Sequence, residues 1–226
     1  MKVSSYLCPL PSGGSTEELA FAFDQGRSQR LLIIPALFDE ANRMRRFTAE
    51  VMRRLDGAGV ESFLPDLPGC NESLQNLSEM TSVDWSDAMQ AAAAQFGATR
   101  LLAIRGGGLV MPGGLPGWHY APVKGATILR QLLRARIFSS REAGREENSE
   151  QLLAAGLESG LDLGGYPLSA GMLRDLQGLL PRASAQLVTL DQELIGGGGL
   201  WLRAEPGEDR AQADALAAVI AMGIGG

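Results

Sequence analysis

The chain has 226 residues, 45% of them hydrophobic and 20% charged, a length and composition that suit one substantial buried core and exclude a disordered chain. It contains no run of eighteen apolar residues, so no membrane span is expected, and its net charge of −6 argues against a general attraction to nucleic acid or anionic lipid. Residues 1–226 are therefore expected to form a single domain.

Residues 1–14 carry Pro9, Pro11, Gly13 and Gly14 where a signal peptide would need an unbroken apolar stretch, so secretion is not expected. Residues 19–24 read as an early antiparallel strand. Residues 30–37 contain Leu31, Leu32, Ile33 and Ile34 in succession, the pattern of a central strand buried on both faces of a parallel sheet. Met44, Phe47, Val51, Leu55 and Ala58 then recur at helical spacing, and Gly57 and Gly59 end the helix. Residues 60–64 give another strand, closed by the turn Asp66, Leu67, Pro68, Gly69. Thr81 and Asp84 are placed as a capping box for a helix through Trp85, Ala88, Met89, Ala92 and Phe96, and residues 101–104 form the next strand. Alternation of strand and helix in this order predicts right-handed crossovers and an α/β fold with a mostly parallel sheet covered by helices on both faces.

Residues 106–117 hold five glycines in their first nine positions and two prolines overall, so the crossover helix there is stunted or missing. A strand at 118–123 follows, then a helix through Ile128, Leu129, Leu132, Leu133 and Ile137. A charged stretch at 141–150 leads to helices near 152–157 and 172–180. Residues 186–190 and 200–203 read as the last strands, and 209–222 as the closing helix. Residues 124–181 are expected to hold a small helical cap above the carboxyl edge of the sheet.

Ligands of parallel α/β sheets bind beyond the carboxyl ends of the strands. The loops there bring Asp39, Glu40, Asn42, Asp66, Ser73, Arg105 and His119 toward one expected pocket. Ala103 to Gly107 lies at a strand-to-helix turn, the place of the nucleophile elbow Gly-x-Ser-x-Gly, and Arg105 stands at the serine position. A guanidinium is not a nucleophile, but its planar fork of donors suits a carboxylate, a phosphate or an oxyanion. The plainer alternative is that Arg105 pairs with a neighbouring carboxylate such as Glu40 and holds loops together. His119 is the only histidine, and none follows Asp191 or Glu193, so the chain order nucleophile, acid, histidine of a hydrolase triad cannot be completed. Cys70 and Ser73 lie on a turn without an activating motif. Gly106, Gly107 and Gly108 lack the third glycine of a dinucleotide loop, and no Gly-Lys-Ser/Thr follows. Asp39 and Glu40 read as a surface pair rather than metal ligands. No metal and no cofactor is expected.

Cys8 and Cys70 are too few for a disulfide framework and fit a reducing, cytoplasmic setting. Arginine outnumbers lysine eighteen to two and collects at positions 43–54 and 130–145, where solvated helix faces are expected.

Several phrases together resemble one family, the α/β-hydrolase-like proteins found beside exosortase systems, in particular the second of the two hydrolases of that system. They are Pro35 to Arg46 (PALFDEANRMRR), Asp66 to Ser73 (DLPGCNES), Trp85 with Asp87, Ile104 to Gly107 (IRGG), Pro122 to Arg134 (PVKGATILRQLLR) and Gly165 to Ser169 (GYPLS). The family's elbow also carries arginine where serine is usual. The resemblance implies an α/β-hydrolase fold, a hydrolase assignment, and a setting of exopolysaccharide production and protein sorting. The positions most like the family's motifs are Phe38, Glu40, Asn42, Arg45, Arg46, Asp66, Gly69, Ser73 and Arg105. The short, glycine-rich segment after the elbow departs from the family pattern.

Two functions are open at this point. In one, Arg105 and backbone N–H groups near Leu37 and Gly106 stabilise negative charge on an acyl substrate while His119 or Glu40 acts as base. In the other, a non-catalytic protein binds a small anionic or acyl ligand, or a protein partner of an export system, through a site that includes Phe38, Asn42, Arg45, Asp66, Ser73 and Gly106.

Overall fold

Period-two alternation builds one end of the sheet, and the apolar runs of two strands, 31–34 and 101–104, build its middle. The structure, a computed structural model, describes residues 1–225. β1 (Lys2–Pro9) and β2 (Ser15–Phe23) pair antiparallel, with Tyr6, Cys8, Ala20 and Ala22 turned inward between exposed neighbours. β1 has no counterpart in the expectations above, because Pro9 at its end and two serines at its centre mask the alternation. β3 (Arg30–Ile34), β4 (Glu61–Pro65), β5 (Arg100–Ile104) and β6 (Gly117–Tyr120) run parallel to one another. A separate hairpin, β7 (Leu161–Leu163) and β8 (Tyr166–Leu168), precedes β9 (Leu187–Leu190), which pairs parallel with β6. The seven-stranded sheet has the order β1-β2-β4-β3-β5-β6-β9, with β2 antiparallel to β4.

The apolar run of β3 serves both faces. Leu31 and Ile33 pack with Phe47, Val51 and Leu55 of α1 (Asp39–Gly57), whereas Leu32 and Ile34 pack with Trp85, Ala88 and Met89 of α2 (Ser82–Gln95) and with Ile128 and Leu132 of α3 (Gly125–Glu142). All four β3 side chains are fully buried, each contributing on the order of 1.5–3 kcal/mol of transfer free energy. The Thr81–Asp84 capping box of α2 forms as expected: Thr81 N donates to Asp84 at 2.8 Å and Asp84 N donates to the threonine hydroxyl at 3.4 Å.

No α-helix links β5 to β6. A single 3-10 turn, Arg105–Leu109, follows β5, and Leu109, Val110 and Met111 fill the helix's place against the core. β6 fits tightly beside β5, since a Cβ on Gly117 would lie 2.1 Å from the Leu101 carbonyl oxygen. Beyond β6 come α3, α4 (Ser149–Ser159), the β7–β8 hairpin and α5 (Ala170–Gly178), which pack on one another and on α2. Tyr166 of the hairpin meets Phe38, at the carboxyl end of β3, with ring centroids 5.3 Å apart. The short α6 (Gln192–Ile195) follows β9, and α7 (Arg210–Gly225) closes the chain against α1.

Two expectations are corrected. Residues 200–203 are not a strand: Leu200–Leu202 is a 3-10 turn in which Leu200 is fully buried and Leu202 is 73% exposed, so its apolar residues plug the α1 side of the core rather than extend the sheet. Glu40 is not at the surface but 7% exposed. No described helix is long and apolar enough to cross a membrane.

Candidate functional site

All four non-glycine residues with positive φ among those described lie in loops at the carboxyl ends of adjacent parallel strands: Phe38 (φ 55°) after β3, Asn71 (52°) after β4, Arg105 (52°) after β5 and Ala121 (45°) after β6. Such conformations cost on the order of 1–3 kcal/mol each and cluster where a fold is shaped for a task. Phe38 is held by its ring, which packs against Trp85 at 5.5 Å and Tyr166 at 5.3 Å between centroids.

Arg105 ties three of these loops together. Its Nε and one terminal nitrogen fork onto the two carboxylate oxygens of Glu40 at 3.0 and 3.1 Å. The other terminal nitrogen donates to the Ala121 carbonyl at 2.7 Å, and the guanidinium carbon lies 3.9 Å from the centroid of the Trp201 ring. Arg105 is 8% exposed. A planar fork with a bidentate carboxylate and an aromatic lid is an arrangement that arginine permits and lysine does not.

The glycines that follow set how closely the loops approach. A Cβ on Gly106 would meet Ile128 at 2.7 Å, and one on Gly107 would meet the carbonyl oxygens of Pro35 and Ile34 at 2.5 and 2.6 Å. They allow the elbow to press directly on the β3 loop, a role the glycine-rich composition signals only as a poor helix.

A cleft of about 220 Å³ opens beside the pair. Phe38, Glu40, Arg43, Gln131, Leu132 and Trp201 are among its walls, so α1, α3 and the Leu200–Leu202 turn all contribute. Arg43 is only loosely engaged with Asp39, at 3.7 Å, and Asp39 also accepts a hydrogen bond from the Tyr166 hydroxyl at 3.2 Å.

The remaining expected residues fall into separate places. His119 is on the opposite face of the sheet, because Trp118 and Tyr120 on either side of it pack toward α1 and α7. Its Nε2 is 2.8 Å from the Arg182 carbonyl and its buried Nδ1 has no hydrogen-bond partner among the described residues. Burial holds its pKa below the usual histidine value. Asp66 and Ser73 belong to a polar knot beneath the β4 loop: Asn71 donates to Asp66 at 2.6 Å, and Ser73 donates to Glu18 at 2.7 Å while accepting from Gly69 N at 2.8 Å. Burial raises the pKa values of Glu18 and Asp66. Cys70, on the same loop, is pushed up to about 12 by burial, which keeps it a protonated thiol and a poor nucleophile. Asn42 lines a neighbouring cavity of about 280 Å³ with Cys70 and Tyr166, and the Arg45 guanidinium sits 5.0 Å from the centroid of the Phe21 ring. The expected single pocket is thus divided, with Arg105, Glu40 and Phe38 together, Asp66 and Ser73 apart from them, and His119 across the sheet. Trp201, Ala121 and Glu18 were not anticipated, and only the lone tryptophan beside a glycine run gave a signal.

Neither a protein-family model nor a curated protein matches the chain. Solved structures do. The structure of DcsB in complex with its substrate analogue is similar at a TM-score of 0.57 and 13% identity over 100% of both chains. Alpha/beta hydrolase domain-containing protein 10 from mouse is similar at 0.56 and 14% identity over 98% of both. The bottromycin epimerase BotH, in complex with bottromycin A2, is similar at 0.51 and 14% identity over 100% of this chain and 99% of its own. With its mostly parallel sheet, the chain has the α/β-hydrolase fold.

Proposed function

We propose that this chain is a non-catalytic protein of α/β-hydrolase fold that binds a short acyl ligand in the cleft beside Arg105. The observation that carries this reading is the use of the elbow. In hydrolases of this fold the strained turn presents a serine to solvent; here the same left-handed turn points a side chain down into Glu40, Ala121 and Trp201. The strain that elsewhere exposes a nucleophile is spent on locking the loops. No base stands ready to replace a triad, since Glu40 is held by the arginine and His119 lies across the sheet.

The cleft's volume corresponds to roughly seven water molecules at about 30 Å³ each, which restricts the occupant to a short acyl or amino-acid-sized group. Its charged walls keep their counterions: Glu40 is held by Arg105, which lies outside the lining, and Asp39 lies 3.7 Å from Arg43. Arg43, which donates to the Trp201 carbonyl at 3.0 Å but reaches Asp39 only at 3.7 Å, has donors left to meet a ligand carboxylate or carbonyl. The resemblance to exosortase-associated proteins supports an accessory role in an exopolysaccharide and export system.

Two measurements test the reading together. Chromogenic acetyl, butyryl and hexanoyl esters should turn over no faster with wild type than with Arg105→Ala, and butyrate or hexanoate should raise the melting temperature of wild type but not of Ala135→Trp, which fills the cleft from α3. Ester turnover lost on replacing Arg105 in a folded variant would establish catalysis and overturn the proposal.

A further inference from the structure

The two arginine clusters of the chain differ in how they are used. On α1 four of the five arginines, at positions 43, 46, 53 and 54, have carboxylate partners (Asp39, Glu208, Glu50, and Glu50 with Asp214) and Arg45 lies over the Phe21 ring, whereas on α3 only Arg136 is paired, with Glu147. On α3, Arg130, Arg134 and Arg141 are exposed and make no salt bridge with any described residue. At 100° per residue they fall within about 40° of one another on the helix, and the row extends roughly 16 Å along its axis. The three guanidiniums are therefore free to meet anionic groups from outside the chain.

Beside this row runs a groove of about 500 Å³ between α3, α4 and α5. Leu129, Leu133, Ile137 and Leu153 form its apolar part, and Arg130 and Arg134 are the charged residues among its walls; no carboxylate lines it. The groove is separate from the cleft beside Arg105, since one opens on the α4 side of α3 and the other toward α1.

We infer that the α3–α4 groove is a docking surface for an acidic amphipathic helix of a partner protein. An apolar trough with a cationic rail on one side matches a helix whose leucines enter the trough and whose carboxylates, spaced three or four residues apart, meet the guanidiniums. Charge complementarity selects this occupant: a single carboxylate ligand engages one arginine or two, whereas the row of three needs a partner with anionic groups repeated over the same length. Arginine rather than lysine suits the task, because its fork binds carboxylates in bidentate fashion and is more weakly hydrated.

The probe is a synthetic sixteen-residue helix with leucines on one face and glutamates flanking them, labelled at one end and titrated with the full-length protein by fluorescence anisotropy. Wild type is expected to bind it with an affinity that falls at least tenfold between low and high salt. Arg130→Glu with Arg134→Glu should weaken binding at least tenfold at low salt, whereas the equal charge change Arg203→Glu with Arg210→Glu, away from the groove, should not; circular dichroism melting establishes that both variants fold. The inference is overturned if the peptide fails to bind, if the two double variants weaken it equally, or if phosphatidylglycerol vesicles bind through the α3 arginines while the peptide does not.

Discussion

The Trp201 ring covers the Arg105 guanidinium at 3.9 Å while the same guanidinium forks onto Glu40 at 3.0 and 3.1 Å. Charge, plane and burial are therefore satisfied together, and removing one partner leaves the other stranded. Arg105→Ala is expected to lower unfolding free energy by about 3–5 kcal/mol, as for other buried pairs broken on one side. Arg105→Lys should recover little, because an ammonium cannot reach both carboxylate oxygens and the Ala121 carbonyl in one plane. The paired replacement Arg105→Met with Glu40→Leu should be far milder than either single loss. Urea denaturation of the three variants checks the set; a cost below about 1 kcal/mol for Arg105→Ala would show that the pair does not hold the loops.

Trp201 contributes in two ways, through the ring face it offers Arg105 and through contacts with the α1 side of the core. It is half-buried, so Trp201→Ala should cost less than the ~3–5 kcal/mol typical of a fully buried tryptophan, and Trp201→Phe should recover most of the loss. If Phe and Ala prove equally destabilising at this position, ring stacking contributes nothing and the turn acts through Leu200 alone.

The parallel sheet was legible because its two middle strands are short apolar runs, Leu31 to Ile34 and Leu101 to Ile104, and because Thr81 and Asp84 announce a helix start through chemistry local to four residues. The Arg105–Glu40 pair could be named as an alternative from the elbow position alone. Its lid could not: Trp201 lies ninety-six positions after Arg105, and an apolar triplet such as Leu200 to Leu202 has the same composition whether it joins a sheet or plugs a core. His119 was misplaced with the site for a related reason, since period-two alternation decides which face of β6 it takes, and the four-residue strand is too short to fix that phase without its neighbours.

The close approach of the elbow to β3 gives a sharper test than composition does. A methyl group on Gly107 would lie 2.5 Å from the Pro35 oxygen and 2.6 Å from that of Ile34, and both are backbone atoms that cannot rotate away. Gly107→Ala should therefore destabilise by about 1–3 kcal/mol, the range for overpacking. Gly178→Ala, at a position of ordinary φ with open space around it, gives the cost of adding the same methyl group without crowding. Thermal unfolding in which Gly107→Ala matches wild type would mean that the loops relax apart and that the elbow is not pinned.

His119 makes stability depend on pH in a direction that can be worked out. Burial depresses its folded pKa, so the folded chain keeps the ring neutral while the unfolded chain takes up a proton near pH ~6.5. Between those two values the unfolded state binds more protons, and stability rises with pH. The contribution is complete above about pH 6.5 and is lost as pH falls through the depressed folded value, at no more than about 1.4 kcal/mol per pH unit. Glu18 and Asp66 act oppositely, because burial raises their folded pKa values and ionising them costs the folded state, so their effect is to lower stability as pH rises above the ordinary carboxylate range. The comparison that isolates the histidine is the difference between wild type and His119→Gln, measured by urea denaturation from pH 5 to 8. That difference should grow more favourable to the variant as pH falls below about 6.5 and be constant above it; a difference independent of pH would mean that the ring stays solvated enough to protonate in the folded chain.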